Sequence, residues 1–196
     1  MTETIRKVCV YCASSRSAHA DHRQAAERLG RILARNGSTL VYGGGSVGTM
    51  GAVANGALAE GGSVIGVLPR FMYDLEWGHT GLTELLLVDD MHARKRLMIS
   101  EVDAIVALPG GSGTYEELLE AITWKRLGLH VHPIVLLNTR DAFDPFVALM
   151  DRVIDENFMH ERHRAMWEVV ERPEDVLGAI ANAPVWSSEA RGFAQL

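Results

Sequence analysis

Short apolar runs alternate with segments of helical periodicity along nearly the whole chain, and this alternation constrains the fold more than any other feature. The run at 8–13 is followed by apolar residues at helical spacing between 25 and 33. Further short runs predict strands at 38–42, 63–68, 85–88, 104–108, 134–137 and 167–170. Strands separated by helices are typical of an α/β fold with a mainly parallel sheet. We therefore predict a doubly wound, Rossmann-like sheet with helices on both faces.

Capping residues, prolines and segments without periodicity predict the domain organisation of the chain. Asp90 is placed to cap a helix over 91–101, and Pro173 to begin the last helix. Residues 70–84 lack clear periodicity and predict a loop or lid. A single core can extend to 196 residues. We predict one Rossmann-like domain at 1–182 and a loosely held C-terminal tail at 183–196.

Charge and composition narrow the classes of partner. The formal net charge is −6, which disfavours a nucleic-acid polymer because such binding depends on basic residues that neutralise phosphates. No apolar run approaches the ~20 residues that span a bilayer, so we expect no membrane partner and a cytoplasmic protein. Cys9 and Cys12 lie on a predicted strand, where an offset of three points them to opposite faces. This geometry favours two reduced packing cysteines over a redox pair.

The first glycine-rich turn, Gly43-x-Gly45-x-x-Gly48, formally matches the dinucleotide-binding fingerprint between a strand and a helix. The next strand ends without the Asp or Glu that would hold a ribose hydroxyl, and Thr49 stands where a phosphate-loop lysine would be. The turn is equally explained by close packing of helix and strand. Gly44 and Gly45 are therefore predicted to approach a ligand through their backbone, with no dinucleotide implied.

The second glycine-rich turn, Pro109 to Thr114, predicts a phosphate site. Its glycines leave backbone N–H groups unobstructed where a helix begins, and a helix N-terminus favours an anion through those groups and its dipole. Glu117 follows one turn later, close enough to reach the sugar of a bound nucleotide. Thr114-x-x-Glu117 also spells a capping box, so two roles stay open for Glu117: catalysis, or capping of its own helix.

A basic segment, Met91-His92-Ala93-Arg94-Lys95-Arg96, is the third element. A guanidinium at its start could clamp a phosphate or ribose oxygen, or pair with Glu117. A solvated basic helix face explains the same residues.

Together, the three elements resemble the LOG (Lonely Guy) family, formerly labelled lysine-decarboxylase-like. The resemblance covers about residues 6–180 and depends mainly on the pairing of P-G-G-x-G-T-x-x-E with M-H-x-R-K. It implies hydrolysis of cytokinin riboside 5′-monophosphates to free base and ribose 5-phosphate, with AMP as an alternative substrate and with no metal and no cofactor. It also implies catalytic roles for Arg94 and Glu117, and a homodimer. The substrate contacts that it implies are Glu76, Lys95, Gly110, Gly111, Ser112, Gly113, Thr114, Tyr115, Glu116 and Thr123. The sequence departs from the family pattern at Thr49 and over 73–79.

Two other functions are compatible with parts of the sequence. A decarboxylase dependent on pyridoxal phosphate needs a Schiff-base lysine, and the chain offers Lys7, Lys95 and Lys125. A non-catalytic nucleotide or molybdenum-cofactor carrier of similar fold would use the same glycine turns without needing both Arg94 and Glu117. The preferred base is left open by the sequence.

Overall fold

The computed structural model describes residues 5–75 and 77–194, and within them seven strands form one parallel sheet in the order β4-β3-β2-β1-β5-β6-β7. The strands are β1 (Lys7–Tyr11), β2 (Thr39–Tyr42), β3 (Val64–Pro69), β4 (Glu84–Val88), β5 (Ala104–Ala107), β6 (Ile134–Leu137) and β7 (Glu168–Val170). Every pairing between neighbouring strands is parallel. The predicted order of β and α segments is therefore confirmed.

Helices cover both faces of this sheet, because successive buried strand residues point to opposite sides. One core contains Val8, Val10 and Val106 and is closed by α1 (Ala20–Arg35), α2 (Gly48–Ala59) and α7 (Val176–Asn182). The other core contains Cys9, Ile105 and Ile134 and is closed by α4 (Met91–Ile99), α5 (Ser112–Arg126) and α6 (Asp144–Asp155). The predicted doubly wound, Rossmann-like α/β class is confirmed.

The two cysteines illustrate this division. Both are free and buried, Cys9 in the core under α4 to α6 and Cys12 in the core under α1 and α2. Burial raises the pKa of both thiols. Their placement on opposite faces confirms the predicted geometry of a packing pair.

The strand order reverses between β1 and β5, which are direct neighbours although four crossovers separate them in the chain. Register aligns Val10 with Tyr42 on one side, and Tyr11 with Ala107 on the other. The segments that follow β1, β2 and β5 therefore leave the sheet at the same edge. In open α/β sheets this reversal opens a crevice beyond the carboxyl ends of the strands, where ligands bind.

The prediction of a loop or lid over 70–84 is wrong in part. A short helix, α3 (Arg70–Asp74), directly follows β3, and β4 begins at Glu84. The backbone then forms an antiparallel bridge between Gly45 and Gly78, supported by a 2.9 Å hydrogen bond from the His79 N–H to the Gly44 carbonyl. Five residues are too few to show helical periodicity in a sequence.

The end of the chain makes more contacts than a loosely held tail would make. Trp186 donates its indole N–H to the Lys125 carbonyl at 2.8 Å, and Arg191 donates to the Leu127 carbonyl at 2.9 Å. The 3-10 helix Ser188–Phe193 crosses the backbone at Gly128, where a Cβ would lie 2.8 Å from Ser188. These contacts dock the segment on the C-terminal end of α5.

Candidate active site

Arg94 is held under the carboxyl edge of the sheet by backbone carbonyls. Its helix α4 begins at Met91, and the side chain of the N-cap residue Asp90 accepts a 2.7 Å hydrogen bond from the Ala93 N–H. The guanidinium is 6% exposed and donates through Nε to the Val67 carbonyl at 3.1 Å and through Nη2 to the Gly43 carbonyl at 3.2 Å. A Cβ at Gly43 would lie 1.9 Å from Nη2, so the close approach of this arginine requires a glycine there.

Glu117 forms an ion pair with the remaining terminal nitrogen, Nη1, of the same guanidinium. Arg94 Nη1 lies 3.3 Å from Glu117 Oε1, and the carboxylate is 4% exposed. Burial raises the pKa of Glu117 to about 7, although the charge of Arg94 acts to lower it. A carboxyl group with this pKa exchanges protons near neutral pH, as general acid–base catalysis requires.

The capping-box interpretation of Glu117 is wrong. Helix α5 begins at Ser112, with Gly111 in the N-cap position and no side-chain hydrogen bond at the cap. Thr114 therefore lies inside the first turn, where it cannot act as the N-cap. Instead, a Cβ at Gly110 would lie 2.1 Å from the Thr114 hydroxyl oxygen, so the turn folds back onto its own helix. Glu117 is thus free to face Arg94.

The start of α5 leaves backbone N–H groups without a partner inside the helix. The Tyr115 N–H bonds to the Gly111 carbonyl, and the N–H groups of Ser112, Gly113 and Thr114 precede it in the first turn. A Cβ at Gly111 or at Gly113 would find no heavy atom within 4 Å. Open space in front of free backbone donors and a helix dipole is suited to a phosphate.

These groups share one cavity of about 570 Å³ at the carboxyl edge of the sheet. Of the sequence-predicted site residues, those that line it are Gly45, Arg94, Gly111, Ser112, Gly113, Thr114 and Glu117. Gly44 and Gly110 flank it within the two turns. Glu76 lies outside the described residues.

Four other predicted contacts point elsewhere in this chain. Lys95 is 7% exposed and forms ion pairs with Glu116 and, at 3.2 Å, with Glu120. Tyr115 packs against Phe143 and Phe146, and Thr123 lies exposed on α5. Among the described residues, none of Lys95, Tyr115, Glu116 or Thr123 lines the cavity.

Sequence reasoning missed several segments of the cavity wall. The residues that it did not predict as site residues are Cys12, Ala13, Ser14, Arg16, Gly43, Ser46, Val47, Met50, Leu68, Met72, Trp77 and Met91. Most of them follow the carboxyl ends of β1, β2 and β3, and that position is the signal that could have found them.

Thr49, a departure from the family pattern, joins two of these segments. It is fully buried; its hydroxyl accepts a 2.8 Å hydrogen bond from the Ala13 N–H and donates to the Ala13 carbonyl at 3.1 Å. The start of α2 is thereby attached to the segment that follows β1.

Comparison with known proteins places this arrangement in a family. A family model described as "Possible lysine decarboxylase" matches residues 50–180. The cytokinin riboside 5′-monophosphate phosphoribohydrolase of Rhodococcoides fascians is 44% identical over 179 residues, which cover 91% of this chain and 89% of that protein. The chain belongs to the LOG family. The cytokinin riboside 5′-monophosphate phosphoribohydrolase LOG of Oryza sativa subsp. japonica is 44% identical over 159 residues, covering 81% of this chain and 66% of the rice protein.

Solved structures show the same fold at lower identity. The molybdenum cofactor carrier protein of Chlamydomonas reinhardtii superposes with a TM-score of 0.68 at 23% identity, covering 91% of this chain and 97% of that chain. The molybdenum cofactor binding protein of Rippkaea orientalis gives a TM-score of 0.65 at 21% identity, covering 89% and 93%. At this identity the likeness concerns the fold alone.

Proposed function

We propose that this LOG family member hydrolyses the N-glycosidic bond of cytokinin riboside 5′-monophosphates, releasing an N6-substituted adenine and ribose 5-phosphate. The observation that carries the proposal is the buried Arg94–Glu117 pair, which lies in one cavity with the open start of α5. The names of the R. fascians and rice relatives support the same reaction.

The order of the strands determines which residues lie at each end of the cavity. Gly111 to Thr114 follow β5, whereas Leu68 is the second-last residue of β3, and Met72 and Trp77 come after that strand. β5 and β3 are separated by β1 and β2, so three strand spacings, about 14 Å in all, lie between these two walls. A nucleotide whose phosphate binds at α5 therefore extends its base toward the apolar wall after β3.

The chemistry of each wall suits the corresponding part of the substrate. The phosphate end offers backbone N–H groups and the Ser112 and Thr114 hydroxyls. The opposite end offers the side chains of Leu68, Met72, Trp77 and Met91, which suit a flat base with an apolar substituent. Arg94 contacts carbonyls in β3 and just after β2, and it contacts α5 through Glu117. These contacts support a position of the ion pair between the two walls, beside the sugar of the proposed substrate.

In the reaction, the C1′–N9 bond breaks. The hydroxyl of a water molecule bonds to C1′, and the departing base gains a proton. The sugar acquires oxocarbenium-like positive charge, as in O-glycoside cleavage. Ionised Glu117 stabilises that charge and orients or deprotonates the attacking water. Arg94 holds the carboxylate in position, and binding of the phosphate orients the ribose.

A non-catalytic carrier would need the glycine turns but not a buried carboxylate with a pKa near neutrality. A pyridoxal-phosphate enzyme would need a lysine in the cavity, and among the described lining residues there is none. Lys95 is held between two carboxylates, and Lys125 donates to the His132 carbonyl at the other end of α5.

One assay tests the reaction and its substrate together. We expect free base from isopentenyladenosine 5′-monophosphate, less from AMP, and little from either dephosphorylated nucleoside, with chromatography as the readout. Glu117→Ala should lower turnover by about a thousandfold or more while nucleotide binding stays measurable by calorimetry. A fully active Glu117→Ala enzyme, or binding without release of base by the unaltered protein, would overturn the proposal.

The assembly and location belong to the same proposal. Leu97 on α4 and Leu119 on α5 are 37% and 42% exposed, which supports a homodimer through this face. Sedimentation velocity should give twice the 21.5 kDa chain mass. Within the described residues, no helix has the length and apolarity to cross a bilayer. We further propose a cytoplasmic protein without a nucleic-acid partner, with one domain at 1–182 followed by a C-terminal segment at 183–196.

A further inference from the structure

We propose that Arg16 is a specificity-determining residue, which binds the 5′-phosphate and makes the enzyme prefer nucleotides to nucleosides. The inference rests on the proposed hydrolase function and concerns a residue that neither the glycine motifs nor the basic segment includes. It lies in the segment between β1 and α1, and it lines the cavity with the start of α5.

The place of Arg16 follows from the sheet. β1 and β5 are neighbours at the reversal of strand order, so the segments that follow them border the same end of the cavity. Ser14 and Arg16 come from the first segment, and Ser112 to Thr114 from the second. Arg16 therefore lies at the phosphate end, away from the apolar wall that follows β3.

The segment that carries Arg16 is anchored on both sides. Thr49 binds the N–H and the carbonyl of Ala13, and the Met50 N–H donates to the same carbonyl at 3.0 Å. On the other side, Arg23 donates to the carbonyls of Arg16 and Ala18. A backbone fixed at these points keeps Arg16 beside the cavity, so ligand binding does not have to order the segment itself.

Apart from Arg16, the cavity offers no uncommitted cationic side chain among the described residues to neutralise a phosphate. A nucleotide phosphate carries about −1.5 to −2 at neutral pH, and a helix start supplies only about half a unit of positive charge. The described cationic side chains that line the cavity are Arg16 and Arg94. Arg94 is already committed to Val67, Gly43 and Glu117. Arg16 is exposed and forms no side-chain hydrogen bond or ion pair with the described residues, so its guanidinium is available.

Substitution at this position should separate phosphate recognition from catalysis. We expect Arg16→Gln to lower kcat/KM for the nucleotide by about ten- to a hundredfold, mostly through KM, and to leave the slow reaction of the nucleoside unchanged. Arg16→Lys keeps the positive charge but loses the planar guanidinium, so its kcat/KM for the nucleotide should lie between the values of the unaltered enzyme and Arg16→Gln. Arg152→Gln on α6 makes the same change in net charge away from the cavity and should behave like the unaltered enzyme.

Calorimetry with AMP and adenosine provides a readout that does not depend on turnover. AMP binding should weaken by the same factor in Arg16→Gln, with adenosine binding unaffected. The inference would be overturned if the ratio of kcat/KM for the nucleotide to kcat/KM for the nucleoside were the same in Arg16→Gln and Arg152→Gln. It would also be overturned if Arg16→Gln lowered kcat/KM equally for nucleotide and nucleoside. If the unaltered protein binds AMP without releasing base, the hydrolase proposal fails, and the AMP affinities still decide the role of Arg16.

Discussion

At the scale of single residues, the site depends on one carboxyl group kept near its ionisation point by opposing effects. Burial raises the pKa of Glu117 to about 7, while the guanidinium of Arg94 favours the ionised form. Two carbonyl acceptors hold that guanidinium, so it cannot turn away from the carboxylate without losing both hydrogen bonds. The pair therefore sets both the position and the proton affinity of the proposed base.

The pH profile should report this group. If ionised Glu117 is the active form, kcat/KM rises about tenfold per pH unit below 7 and levels off above it. Arg94→Gln removes the charge that favours ionisation, so the residual activity should inflect at higher pH. Steady-state rates with the isopentenyl nucleotide from about pH 5 to 9 provide the measurement. A rate that falls as the pH rises through 7 would indicate that protonated Glu117 is the active form.

Gly43 tests the position of Arg94. A methyl group there would lie 1.9 Å from Nη2, so Gly43→Ala must displace the guanidinium. We expect kcat/KM to fall by about a hundredfold or more, because small misplacements at a reacting centre are that costly. Circular dichroism should show a retained fold. Near-normal turnover of Gly43→Ala would show that the position of Arg94 is less restrictive than its contacts suggest.

At the scale of elements, α1 and α2 pack with their backbones in contact. A Cβ at Gly30 would lie 2.1 Å from the Val53 carbonyl oxygen, and one at Gly56 would lie 2.0 Å from the Glu27 carbonyl oxygen. This contact positions α2, whose first turn contains Thr49 and follows the glycine-rich turn that lines the cavity. Close packing of these two helices therefore supports the site indirectly.

A matched pair of glycine substitutions separates packing from helix propensity. Gly56→Ala should lower the free energy of unfolding by about 1–3 kcal/mol, because overpacked backbone must move. Gly178→Ala, on α7 with nothing within 4 Å, should raise it by about 0.5–1 kcal/mol through helix propensity. Urea denaturation gives both values. Similar shifts in the two variants would contradict the close α1–α2 contact.

At the scale of the whole molecule, the segment at 186–194 packs against the C-terminal end of α5. Lys125 is 1% exposed, and its burial lowers the pKa to about 8. Trp186 covers it, accepting the ammonium over its ring at 5.8 Å and donating its N–H to the Lys125 carbonyl. Trp186 thus helps to shield a buried lysine from water.

Deletion of 184–196 should therefore destabilise the protein by about 2–4 kcal/mol, since a partly buried tryptophan and its hydrogen bond are lost. Trp186→Phe keeps most of the ring and loses the N–H, so it should cost only about 0.5–1.5 kcal/mol. Thermal unfolding compares the three proteins. A truncated chain as stable as the full one would restore the interpretation of a loosely held tail.

The sequence by itself determined the features that depend on neighbouring residues. Hydrophobic periodicity predicted the alternating strands and helices, and the glycines before α5 predicted an open helix start. Both signals are local, because strand and helix periods and turn conformations involve residues a few positions apart.

Only the tertiary structure decided which polar residues face the cavity. Arg94 and Lys95 are adjacent on α4, and Glu116 and Glu117 are adjacent on α5, so either member of each pair could have faced inward. The packing of the two helices directs Arg94 to Glu117 and Lys95 to Glu116, more than 20 positions away along the chain. The start of α5 at Ser112 excludes the capping box at Thr114, and the strand order brings Arg16 to the proposed phosphate end. Such choices depend on how whole elements are rotated and ordered against one another, which no local pattern specifies.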